Sequence, residues 1–144
     1  MAAHPVQGFT HRRRRGAELF LIVNALLVGV GGYAAVGLGV DGVVPTGLIR
    51  YGSWLAALVV ASHIAVRLLA PYADPVLLPV VAALNGLGLA MIYRIDLAEL
   101  SKNEDANTFS SDQLIWMTLG VVLFVSVLAA LRDHRRLQAF TYTA

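Results

Sequence analysis

LFLIVNALLVGVGGYAAVGLGV, residues Leu19–Val40, runs for 22 residues without a charge. A helix rises 1.5 Å per residue, so this stretch reaches about 33 Å, roughly the thickness of bilayer hydrocarbon. Three similar runs follow: Tyr51–Ala70, Val76–Tyr93 and Leu114–Leu131, of 20, 18 and 18 residues. The only charge inside any of the four is Arg67, near the end of the second. Each run is apolar nearly all round, whereas a helix on a soluble core keeps a polar face. The chain therefore reads as all-α, a polytopic membrane protein with four transmembrane helices.

Composition agrees. The chain is 58% hydrophobic and 14% charged, an inversion of the soluble average. Its 144 residues hold four spans, short connections and two tails, with no room for a separate soluble domain. Cysteine is absent, so neither a disulfide framework nor a thiolate metal site is available. The first run is longer than the core of a cleaved signal peptide, about 7–15 residues, and reads as a retained anchor.

Charge placement gives the threading. Arg12, Arg13, Arg14 and Arg15 precede the first span, and nothing basic follows it until Arg50. This bias places the N-terminus in the cytoplasm. The tail LRDHRRL carries Arg132, Arg135 and Arg136 against Asp133, while 94–112 holds two basic and five acidic residues. Both termini are thus expected inside, with the acidic loop 94–112 outside. Beside a span, the arginine run is an orientation signal touching anionic lipid rather than a nucleic-acid patch. Tyr51, Trp54, Tyr93 and Trp116 at the outer ends, with Tyr72 at the inner surface, read as an aromatic belt. Pro71, Asp74 and Pro75 leave a very short connection, which predicts that spans two and three pack as an antiparallel pair. Loop 94–112 is expected to be solvated, with a short interfacial helix around Ile95–Leu100 as the alternative. It lacks the ligand spacing of a calcium-binding EF-hand.

Within the spans, small residues recur at spacing four: Ala25/Gly29 and Gly31/Ala35, Ala57/Ala61/Ala65, and Ala82/Gly86. Such stripes let helix backbones approach closely where lipid supplies no hydrophobic driving force. Asn85 lies mid-span, with Gly86 and Gly88 beside it. Its amide needs a partner in hydrocarbon, as interhelical glue or as part of a substrate-lined cavity. Asn24 reads as structural. His63 and Arg67 stand i,i+4 on one face and are expected to line a wet groove at the inner side, with Arg67 free to snorkel. Gln113 sits at the outer mouth of the fourth span. These six positions (Asn85, Gly86, Gly88, His63, Arg67 and Gln113) are the structural or cavity-lining candidates. No catalytic residue, metal site or cofactor site is expected. The residues alone leave open a non-enzymatic four-helix membrane adaptor.

Three stretches carry a more specific signal. DPVLLPVVAALNGLGLAMIYRIDL (Asp74–Leu97), FSSDQLIWMTLG (Phe109–Gly120) and LRDHRRL (Leu131–Leu137) resemble the N-terminal region of the FtsW/RodA/SpoVE family. HRRRRGAELFLIV and RLLAPYADPVLLP resemble its extended actinobacterial version, slightly closer to the RodA type. The resemblance implies a basic cytoplasmic tail over 1–18 and a two-helix extension over 19–70. The first two core helices then occupy 71–131, and a basic tail, expected to be interrupted, occupies 132–144. It also implies a bacterial plasma-membrane glycosyltransferase that polymerises lipid II at the outer face beside a class B penicillin-binding protein. The family's essential aspartate belongs to a later extracytoplasmic loop, so neither Asp96 nor Asp112 inherits that role. The chain is accordingly expected to be an N-terminal fragment, inactive alone, embedded in the lipid bilayer and without nucleic-acid binding.

Overall fold

The computed structural model describes residues 15–71, 73–103 and 107–131. They form four helices: α1 (Arg15–Val40), α2 (Leu48–Leu69), α3 (Leu77–Leu100) and α4 (Phe109–Leu131). All four are long and apolar enough to cross a membrane. In hydrocarbon the backbone must satisfy its own polar groups, and for a single segment only a helix does so. Arg12–Arg14, Tyr72, Glu104, Asp105 and the tail 132–144, which bear on the orientation, belt and loop readings, lie outside the described residues.

Turn chemistry shapes the connections before α2 and α3. After α1 the chain reverses at Gly42, whose φ of 70° is open to glycine at little cost. Pro45 folds back so closely that a Cβ on Gly37 would lie 2.2 Å from its ring. At the start of α3 the Asp74 carboxylate accepts the Val76 N–H at 2.9 Å. Pro79 is buried in the first turn of α3, where its missing N–H has no intrahelical partner to lose.

The expected boundaries shift most at two places. α3 continues through Leu100 instead of ending at Tyr93, and α4 begins at Phe109, five residues before Leu114. The supposed loop 94–112 is therefore largely helix. Charges at Arg94, Asp96 and Glu99 concealed the continuation. At 24 residues α3 is about 36 Å long, enough to carry those charges past the hydrocarbon.

Packing also departs from chain order. The most extensive pair is α1 with α3, and the α2–α3 pair is far looser, despite its short connection. The cause is a backbone crossing at Gly29 and Gly86: a Cβ on Gly86 would meet the Gly29 Cα at 2.6 Å. Below it lies a cluster of Ile22, Ala25, Leu55, Val59 and Ala82, and above it one of Tyr33, Tyr51, Leu89 and Ala90. The Ala25/Gly29 and Ala82/Gly86 stripes thus form one interface. The other two stripes do not. Gly31 and Ala35 are exposed, as are Ala57 and Ala61, and only Ala65 of the α2 stripe is buried. α4 is the least covered helix, with Ser110 its one buried residue.

Candidate functional site

Polar groups gather at the two ends of the bundle, with an apolar cleft between them. At the first end, the α1 residue Glu18 is buried against α2. Its Oε1 accepts from His63 Nδ1 at 2.8 Å and its Oε2 pairs with Arg67. An ionised carboxylate only accepts, so Nδ1 carries the proton. His63 and Arg67 do share a helix face, and they converge on this acid. Glu18 was missed because it precedes the apolar run by one residue. Nothing local announces a partner 45 residues away.

At the opposite end Asp96 is 2% exposed. Its carboxylate accepts the Phe109 N–H at 2.8 Å, the Ser110 N–H at 2.9 Å and the Ser110 hydroxyl. A helix leaves its first N–H groups unsatisfied, and the end of α3 supplies the cap for α4. Phe109-Ser110-Ser111-Asp112 is a helix-start pattern that sequence reading can recognise; the cap from Asp96 is not readable in that way. Beside it Tyr33 stacks on Tyr93 at 4.2 Å between centroids and tilts against Tyr51 at 5.2 Å. Tyr51 is buried and half-buried Tyr93 packs with it, so these two tyrosines knit three helices together rather than forming a belt. Trp54 and Trp116 remain exposed.

A cleft of about 530 Å³ separates α4 from α2 and α3. It runs from the Ala73–Asp74 connection to Gln113, and its walls include Leu55, Ser62, Asn85, Trp116 and Phe124. Asn85 donates to the Val81 carbonyl of its own helix at 2.9 Å, so it is not bonded across helices and instead borders this cleft. Asn24 likewise bonds back to Phe20 at 2.8 Å. Gln113 lines the same cleft, Gly86 sits at the crossing, and Gly88 faces open space. The six candidates are therefore divided among four places. Among the described residues no three His, Asp or Glu side chains gather as a metal site.

Asp96 has the burial of a catalytic acid, but the start of α4 occupies its oxygens.

No family model and no solved structure matches the chain. Curated relatives do. The chain is 41% identical over 129 residues to proteins of Mycobacterium tuberculosis and Mycobacterium bovis named peptidoglycan glycosyltransferase RodA. The Mycobacterium leprae protein of that name is 40% identical over the same length. The match takes in 90% of this chain but only 28% of each relative. Over those 129 residues the chain is similar to these RodA proteins, and it spans little more than a quarter of their length.

Proposed function

We propose that this chain forms the amino-terminal membrane part of a RodA-type peptidoglycan glycosyltransferase. The observation that carries the reading is 41% identity sustained over 129 residues to proteins bearing that name. In this role the four helices act as a scaffold. The Gly29–Gly86 crossing sets the packing of α1 on α3, and the cleft beside Asn85 and Gln113 is a surface for the rest of the protein. Lipid II is the proposed substrate of the whole protein and a class B penicillin-binding protein its proposed partner. Both termini of the 144-residue chain are proposed to be cytoplasmic, on the strength of the basic tails.

Glycosyl transfer from lipid II needs a base for the acceptor hydroxyl and cationic help for the departing pyrophosphate. Among the described residues at the Asp96 end the one buried carboxylate is a helix cap, and Lys102 is paired with Glu99 at 3.1 Å. Met1–Ala144, purified and supplied with labelled lipid II and a class B penicillin-binding protein, is expected to make no glycan polymer. A matched mycobacterial RodA under the same conditions is expected to make it. Processive polymer from the 144-residue chain alone would overturn the scaffold role.

A further inference from the structure

We propose that the groove between α2 and α4 at the Arg50 end binds an anionic membrane phospholipid, with its phosphate on Arg50 and one acyl chain along α4. The inference rests on the membrane-spanning fold and is independent of the RodA reading. The groove holds about 620 Å³ and is walled by Arg50 and Trp54 of α2 and by α4 from Ser111 to Val122.

Its head is cationic and pre-positioned. Arg50 is exposed, yet its guanidinium is held over the Tyr51 ring at 4.7 Å and donates to the Tyr51 hydroxyl at 2.8 Å. Among the described residues no carboxylate pairs with it. A guanidinium has five N–H donors in a fork suited to phosphate, and one bond to a phenol leaves the rest available. Ser111 adds a hydroxyl at the same level, where it sits 3.4 Å from the Tyr51 oxygen.

Below the head the wall is apolar. Trp54 Nε1 donates to Thr118 Oγ1 at 3.0 Å, and that hydroxyl donates to the Leu114 carbonyl at 2.7 Å. The polar atoms of mid-groove are thus occupied, and exposed Leu119 and Val122 complete the track. From Ser111 to Val122 α4 rises about 17 Å, close to the ~15 Å hydrocarbon depth of one leaflet. A spanning helix needs about twice that length. Charge at the mouth and a depth of one leaflet together select a lipid over a further helix. The cleft on the other face of α4 differs in both respects, since it carries Asp74 and extends from the 70–74 connection to Gln113.

The test is native mass spectrometry of the full 144-residue chain, released from detergent containing equal phosphatidylglycerol and phosphatidylcholine. The unmodified chain is expected to retain phosphatidylglycerol in preference. Arg50→Gln should cut that adduct about fivefold, the effect of one basic residue at an anionic lipid surface, and leave phosphatidylcholine unchanged. Arg50→Lys should restore much of it, and Leu119→Trp, which fills the exposed track, should weaken both lipids. Equal retention of the two lipids by the unmodified chain, or an undiminished phosphatidylglycerol adduct in well-folded Arg50→Gln, would overturn the site. So would loss of the adduct when a further polypeptide covers the groove in a full-length relative carrying this segment.

Discussion

Gly86→Ala is the most economical test of the packing. A Cβ at Gly86 would stand 2.6 Å from the Gly29 Cα and 3.5 Å from both the Gly29 nitrogen and the Leu55 Cδ2. Carbon atoms settle at about 3.5–4.0 Å, so α1 and α3 must part by roughly 1 Å. The obstruction is backbone, which no rotamer change relieves. Overpacking of this kind costs about 1–3 kcal/mol. Gly88→Ala is the internal control. It meets nothing within 4 Å, and in a helix interior alanine gains about 0.5–1 kcal/mol over glycine. The two single-methyl variants should therefore differ by about 2 kcal/mol, roughly 30-fold in the folded-to-unfolded ratio. Unfolding titrations in mixed micelles, followed by protease resistance, measure that gap directly. Equal stability of Gly86→Ala and Gly88→Ala would refute the crossing. Gly86→Leu should be worse again, and more damaging than Leu87→Ala, which truncates an exposed side chain.

Three further outcomes follow from the polar ends and the charge bias. Glu18→Gln should destabilise the fold by about 2–3 kcal/mol, because it leaves Arg67 uncompensated. Joint replacement of Glu18 and Arg67 by methionine should recover most of that loss in the same titration, and a pair no better than the single change would contradict the account. Asp96→Ala should expose the first turn of α4, from Phe109 and Ser110 onward, to amide hydrogen exchange, at a cost of about 1–3 kcal/mol. Asp96→Asn should fall between Ala and the unmodified chain. Finally, because the chain has no cysteine, single cysteines at Asn103 and Gln138 report topology without background. The first should label from outside intact cells and the second should not; equal labelling from outside would overturn the orientation.

Four apolar runs were legible because membrane insertion depends on length and hydropathy, both of which are local. Two of the small-residue stripes were legible for a related reason: close approach requires small side chains every fourth residue. Which stripes meet was not legible. Gly31/Ala35 has the same spacing as Ala25/Gly29, and only the three-dimensional arrangement turns one inward. Glu18 and Asp96 escaped for another reason. Glu18 drew no reading and Asp96 was counted among the acids of a solvated loop, although each satisfies groups on a different helix, at separations of 45 and 13–14 residues. Tyr51 and Tyr93 show the converse error. Tyrosine near a span end suits the interface, and it equally suits a buried cluster when neighbouring rings and a hydroxyl partner are present.

The role proposed for these helices is the membrane scaffold of a RodA-type enzyme. Replacing the matched segment of the Mycobacterium tuberculosis RodA with this chain and assaying glycan polymer from labelled lipid II tests it most directly. The account predicts that the chimera polymerises lipid II and that the same chimera carrying Gly86→Leu does not. A chimera that inserts and folds like the parent RodA yet yields no polymer would contradict it, as would undiminished activity in the Gly86→Leu form.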